Sequence, residues 1–157
     1  MYMENIVLTK EGYEEIFKKH ENLIKVARPK VIEELKEARS QGDLSENSDY
    51  DAAKNKQAEL EAEIARLEAI LDAAKIIEHS TKSHTVGIGS IVELETTHKM
   101  PKTLQIVNVV EADPLASPIK ISSTSPVAKA ILGARIGDTI EVQGISHPYK
   151  ITIKEVR

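Results

Sequence analysis

The sequence predicts an α+β protein, with an N-terminal antiparallel α-helical coiled-coil hairpin followed by a small C-terminal antiparallel β domain carrying one short helix. Three observations predict it. Apolar residues recur in steps of three and four on both sides of one polar turn, residues 42–50. That periodicity stops at His79, after which His, Ser, Thr and Gly accumulate as far as Ser90. Beyond Ser90 the pattern changes to short alternating runs divided by proline and glycine turns. The expected division is therefore residues 1–78 for the hairpin, with its acidic tip at 42–50, and residues 79–157 for the second domain, with a linker at about 79–90.

The first helix is expected to begin at Thr9, whose hydroxyl can accept from the free amides of the first turn. Leu8 and Tyr13 flank it with the spacing of a hydrophobic staple. Tyr13, Phe17, His20, Ile24, Ala27, Val31 and Ala38 then form a seam, with Glu34 as its one charged position. Pro29 lacks an amide proton and crowds the carbonyl of Lys25, so a kink or brief break is expected near Ala27 to Pro29. The helix should end near Gln41, where Gly42 can take a left-handed conformation.

After the turn, Tyr50, Ala53, Gln57, Leu60, Ile64, Leu67, Leu71 and Ala74 step by three and four without a lapse. Facing positions of an antiparallel pair share a constant total of residue numbers. Phe17/Ala74, His20/Leu71, Ile24/Leu67, Ala27/Ile64, Val31/Leu60, Glu34/Gln57 and Ala38/Ala53 all total 91. A constant register within one chain favours an intramolecular hairpin over an oligomerisation module, so a monomer is expected. At about 1.5 Å per residue, helices of roughly thirty residues make a rod about 45 Å long, with the turn far from any core.

In the second domain, Ile91 to Glu95 and Leu104 to Val107 read as half-buried strands joined through Thr96 to Lys102. Ile119 to Ile121 is a further strand. Ser125-Pro126 supplies an N-cap and a first-turn proline for a helix over Val127 to Leu132, which Gly133 ends. Thr139 to Val142 and Tyr149 to Val156 complete the sheet.

Composition excludes several classes of function. The 157 residues contain no cysteine, which removes disulfides and thiolate metal sites and fits a reducing cytoplasm. No stretch approaches the roughly 20 apolar residues needed to cross a bilayer, so no membrane association is expected. Residues 1–78 hold 12 Lys/Arg and 18 Asp/Glu, a net of −6, and residues 79–157 hold 9 and 7, a net of +2. Neither half has the basic face of a protein that grips nucleic acid through phosphates. Tyr2, Tyr13, Phe17, Tyr50 and Tyr149 are too few for a base-stacking platform. His79, His84, His98 and His147 lack zinc-ligand spacing, and no nucleophile elbow or phosphate-cradling glycine run occurs. His20 reads as a core-edge residue.

The chemistry left over sits in the turn, Gly42-Asp43-Leu44-Ser45-Glu46-Asn47-Ser48-Asp49-Tyr50. Asp43 and Glu46 have the spacing of a capping box, and on spacing alone that structural role is the stronger reading. Ser45, Asn47 and Ser48 could cap as well, so the acids are not required for it. Two carboxylates at the end of a rod could also supply oxygen ligands to Mg²⁺, which wants about six oxygens and is usually shared with water and substrate phosphate. A partner would have to supply the rest, as in two-metal phosphodiester hydrolysis.

This turn, preceded by Glu37-Ala38-Arg39 and followed by Ala52-Ala53-Lys54, resembles the coiled-coil tip of the bacterial Gre transcript-cleavage factors. Glu111-Ala112-Asp113-Pro114, Ile121-Ser122, the run Ser125 to Gly133, and Gly137-Asp138 resemble that family's C-terminal domain, so the likeness covers nearly the whole chain in order. It implies an FKBP-like C-terminal domain, similar to FK506-binding proteins, that docks on the rim of the secondary channel of a backtracked RNA polymerase. It also implies a tip that enters the channel and helps hold Mg²⁺ and a water where the polymerase cuts the nascent RNA 3′ end. By the resemblance, Asp43 and Glu46 carry the catalytic and metal-holding role, with Asn47, Ser48 and Tyr50 as tip neighbours. Arg39 and Lys54 are the basic residues near the RNA, and Asp113, Ser122, Ser125 and Pro126 are candidates for docking. The sparse basic residues resemble the GreA type more than GreB, which implies short cleavage products. Many members have Gly-Ser after the second strand where this chain has Asn108-Val109, so the resemblance does not fix that turn.

Two other classes compete. One is a family-related regulator that occludes the channel without stimulating cleavage. The other is a prolyl isomerase, which uses an aromatic-lined apolar pocket, whereas residues 79–157 contain only Tyr149.

Overall fold

The computed structural model describes residues 5–42, 48–78 and 84–157. The chain divides into two compact units, one comprising Tyr13–Ala74 and the other comprising Ile6–Gly12 with Lys75–Arg157.

In the first unit, α1 (Lys10–Asn22), a π turn at Leu23–Ala27 and α2 (Arg28–Ser40) form one run of helical backbone, which faces α3 (Ser48–Ala73). The π turn is where the interruption expected from Pro29 is expressed. Arg28 N–H donates to the Leu23 carbonyl, five residues back, so the ladder slips by one residue just before the proline that cannot donate to Lys25. The helix is re-phased rather than broken.

The observed seam differs from the predicted one at single positions, with Tyr13, His20, Ile24, Ala27, Val31 and Ala38 kept. Val31, Leu35 and Ala53 form a buried cluster in the hairpin, with Tyr50 and Leu60 packed against it. Leu35 is 7% exposed, whereas Glu34 at the predicted seam position pairs at the edge with Lys56 at 2.8 and 2.9 Å. On the other side of the π turn Phe17, a predicted seam residue, is 45% exposed and Ile16 is half-buried in its place. On α3 the predicted Ala53, Ile64 and Leu67 are buried, but Ile70 is buried where Leu71 was expected. Ion pairs cross the hairpin at Lys19–Glu63, His20–Glu68 and Arg28–Glu61. His20 thus lies at the core edge as expected, but its ring meets the Glu68 carboxylate at 3.1 Å.

Two short strands escape sequence reading. β1 (Ile6–Thr9) and β2 (Ala74–Ile77) pair with each other, which takes residues 6–12 and 75–78 out of the expected hairpin segment and into the second unit. Each is only four residues long, and its partner is more than sixty residues away.

The second unit is built on a five-stranded sheet in the order β5-β4-β3-β7-β6, from β3 (Ile91–Thr96), β4 (Thr103–Val107), β5 (Ile119–Ser122), β6 (Thr139–Glu141) and β7 (Lys150–Val156). It is antiparallel except for β4 and β5, which run parallel and are joined by the crossover at residues 108–118. The sheet buries Val92, Leu94, Leu104, Ile106, Ile151 and Ile153 against Ala128 and Ile131 of α4 (Pro126–Ile131), each large aliphatic contributing about 1.5–3 kcal/mol. Along β7, Ile151 and Ile153 face inward, yet the next buried residue is Val156. The register explains it: Leu94 faces Ile153 while Glu93 faces Glu155, so Lys154 is an extra residue and the alternation changes phase there.

Ser125 caps α4, its Oγ accepting from Ala128 N–H at 3.3 Å, and Gly133 closes it at φ +82°. After β4, Asn108 settles the turn that the resemblance left open. Its Oδ1 accepts from Val110 N–H at 3.1 Å and starts a 3₁₀ turn at Val109–Glu111.

Candidate functional site at the hairpin turn

The turn is set by how each helix stops. In α2, Ser40 Oγ donates to the Glu37 carbonyl at 2.6 Å, and Gln41 N–H reaches the Ala38 carbonyl at 3.4 Å in a tightened last turn. Gly42 follows at φ +108°, a conformation that glycine adopts without a Cβ penalty. α3 begins at Ser48 with Asp49 and Asp51 in its first turn, where carboxylates face the positive end of the helix dipole. Arg39, in the last turn of α2, is the matching cation at a C-terminus. Residues 43–47, between Gly42 and Ser48, include Asp43, Glu46 and Asn47 and lie outside the described residues.

The described tip residues fall into two groups. Ser48 and Lys54 are exposed. Tyr50 and Arg39 are brought together: the Arg39 guanidinium lies over the Tyr50 ring, 5.8 Å from its centroid, while the ring also packs on the hairpin core. Below them Glu34, Glu37, Ala38, Asp49, Ala53 and Lys56 line an open groove of about 350 Å³. Its charged lining is three carboxylates, Glu34, Glu37 and Asp49, and one ammonium, Lys56. Among the described residues there is no group of three or more His, Cys, Asp or Glu able to hold a metal ion.

Of the docking candidates, Ser122, Ser125 and Pro126 share one turn. Ser122 Oγ contacts Thr124 Oγ1 at 2.7 Å, Ser125 N–H donates to the Ser122 carbonyl at 3.0 Å, and Pro126 opens α4. Asp113 is tied to the same strand further back, through two backbone hydrogen bonds with Lys120 at 2.9 and 3.0 Å. Its Oδ1 also accepts from Leu115 N–H at 2.8 Å, which holds Leu115 outward at 92% exposure.

Sequence reasoning missed one constellation. Both carboxylate oxygens of Glu111 engage Thr9, accepting from its N–H at 3.0 Å and its hydroxyl at 2.6 Å. The Thr9 hydroxyl in turn accepts from Gly12 N–H at 3.0 Å, the N-cap bond expected of it. A glycine in a first helical turn, where it is a poor helix former, was the available signal. Among the described residues no helix is long and apolar enough to cross a membrane.

Comparison with known proteins covers both units. The family model described as "Transcription elongation factor, N-terminal" matches residues 6–76, and "Transcription elongation factor, GreA/GreB, C-term" matches residues 81–157. The chain is 53% identical over 158 residues to transcription elongation factor GreA of Mycoplasma capricolum, covering 98% of this chain and 99% of that one. It is 51% identical over 155 residues to transcription elongation factor GreA of Mesoplasma florum, covering 98% of each. Among solved structures, GreA factor homolog 1 of Thermus thermophilus is 32% identical, covers 98% of this chain and 99% of that one, and aligns with a TM-score of 0.45. On the matches to both of its segments, this chain belongs to the GreA/GreB family of transcription elongation factors.

Proposed function

We propose that the hairpin enters the secondary channel of a backtracked RNA polymerase and stimulates the polymerase's own Mg²⁺-dependent cleavage of the nascent RNA 3′ end. The chain is then a monomeric cytoplasmic accessory factor, not a nuclease, and its cleavage products are short. The observation that carries the reading is family membership over both segments, combined with two carboxylates, Asp43 and Glu46, in the seven residues, 41–47, that connect α2 to α3. Their donor chemistry fits Mg²⁺, a hard cation that takes oxygen ligands, but two side chains fill only part of its shell. Asp43 and Glu46 would hold it jointly with the polymerase, and it would not bind the free chain tightly. When bound, the ion would lower the pKa of a water and neutralise charge at the phosphodiester.

The other residues act by position. Arg39 and Lys54 offer cations to the extruded RNA, and Asn47, Ser48 and Tyr50 shape the turn. Asp113, Ser122, Ser125 and Pro126 contribute to docking on the channel rim, where their own hydrogen bonds fix the backbone they present.

The test is a stalled, backtracked elongation complex supplied with Mg²⁺ and the purified chain. The expected result is 3′-end shortening of the RNA, reduced by on the order of a hundredfold in Asp43→Ala and in Glu46→Ala, with competition for polymerase retained. Undiminished cleavage by both variants sinks the assignment. Slowed synthesis without shortened RNA would make the chain a channel-occluding regulator instead.

A further inference from the structure

We infer that Thr9, Gly12 and Glu111 are positioning residues, a clamp that stiffens the root of the first hairpin helix so that docking of the C-terminal unit is converted into delivery of the tip. The inference rests on the function proposed above.

The geometry is selective at all three positions. Glu111 Oε2 accepts from Thr9 N–H and Oε1 accepts from Thr9 Oγ1, so both carboxylate oxygens are needed as acceptors. A glutamine has one carbonyl oxygen and would turn an NH₂ toward one of these donors. Thr9 Oγ1 donates to Glu111 and accepts from Gly12 N–H, which uses the hydroxyl in both directions. Thr9 is 6% exposed, and its two bonds to the Glu111 carboxylate, one from its amide and one from its hydroxyl, are charge-assisted. At Gly12 a Cβ would run into Glu111 Oε1 and Cδ, so no side chain fits while the carboxylate is in place.

Position in the chain gives the clamp its role. Glu111 closes the 3₁₀ turn at Val109–Glu111, two residues before Asp113 and four before the exposed Leu115. Thr9 and Gly12 open α1, and the chain passes directly from Gly12 into the hairpin at Tyr13. A tip joined to a docked unit acts at an effective concentration set by the stiffness of the connection. Loosening the first turn of α1 should therefore lower the rate reached at saturating factor, and leave the half-saturating concentration, set by docking, nearly unchanged.

The experiment uses the full chain. Glu111→Gln and Gly12→Ala are expected to lower the maximal rate of stimulated cleavage about tenfold, with half-saturating factor concentrations within about twofold of wild type. In the free protein, hydrogen exchange at the Gly12 amide should quicken at least about tenfold in Glu111→Gln. Thr9→Ser, which keeps the hydroxyl, should match wild type in both measurements, and Thr9→Val should not. That pair carries the test if Glu111→Gln does not fold. Faster exchange with an unchanged maximal rate overturns the positioning role, as does a rise in half-saturating concentration alone. A wild-type chain with slow Gly12 exchange that never shortens RNA overturns the cleavage reading instead, and leaves the clamp as a purely structural contact.

Discussion

The guanidinium of Arg39 lies 5.8 Å from the centroid of the Tyr50 ring, joining the last turn of α2 to the first turn of α3 beside the segment that holds Asp43 and Glu46. The ring has two duties, since it also packs against the Val31, Leu35 and Ala53 cluster. A cation over an aromatic face at an exposed site is worth about 0.5–1 kcal/mol. A double-mutant cycle of Arg39→Ala with Tyr50→Leu, read by urea unfolding of the helical signal, should return a coupling of that size. Tyr50→Phe keeps the face and should keep the coupling. A coupling near zero would show that Arg39 is held at the turn by something other than the ring.

The observed seam makes a second prediction that separates it from the one read from the spacing. Leu35→Ala removes a side chain only 7% exposed and should cost about 2–3 kcal/mol. Phe17→Ala removes a larger side chain that is already 45% exposed, and should cost about 1 kcal/mol or less. Chemical denaturation of the two variants settles the order. If Phe17→Ala proved the costlier, the seam read from the spacing would be the correct one.

Most of the architecture could be read from spacing because it depends on local pattern. The hairpin, the strands of the large sheet, Ser125 as an N-cap and Gly42 and Gly133 as helix ends all follow from residues a few positions apart. What the sequence hid depends on partners far along the chain or on a change of period. The sheet formed by β1 and β2 pairs segments of four residues across the whole hairpin, and Glu111 meets Thr9 over 102 positions. Pro29 announced an interruption, but a slipped ladder and a broken one give the same signal, and steps of three and four leave open which of two adjacent residues, Glu34 or Leu35 and Phe17 or Ile16, lines the seam. In the candidate site, the motif makes Asp43 and Glu46 the expected chemistry-bearing pair, and both lie outside the described residues. The contact between Arg39 and Tyr50 was not predicted, because polar and aromatic residues flanking a turn carry no periodic mark.

Glu63 supplies a pH-dependent prediction for the hairpin. Its carboxylate accepts from Arg66 Nε at 2.8 Å and Nη2 at 2.9 Å, and from Lys19 Nζ at 2.8 Å across the hairpin. The Arg66 bonds first, and the Lys19 bond second, hold its pKa down to about 2, against an ordinary glutamate value near 4.5. A carboxyl whose folded pKa is depressed adds stability that is complete above its unfolded pKa and is lost as pH falls through the folded one. The window is therefore from about pH 4.5 down to about pH 2. With about a third of the side chain exposed, solvent screens the pair, and the contribution is about 0.5–1 kcal/mol, not the full value of the shift. Glu63→Gln should lower stability by that amount at pH 7 and flatten this part of the acid-unfolding curve. Lys19→Met should lose a smaller share, since Arg66 remains. Raising salt from 0.05 to about 0.5 M should shrink the difference between wild type and Glu63→Gln, because exposed ion pairs are screened. An acid transition identical in wild type and Glu63→Gln would mean that the three-way pair does not hold in solution.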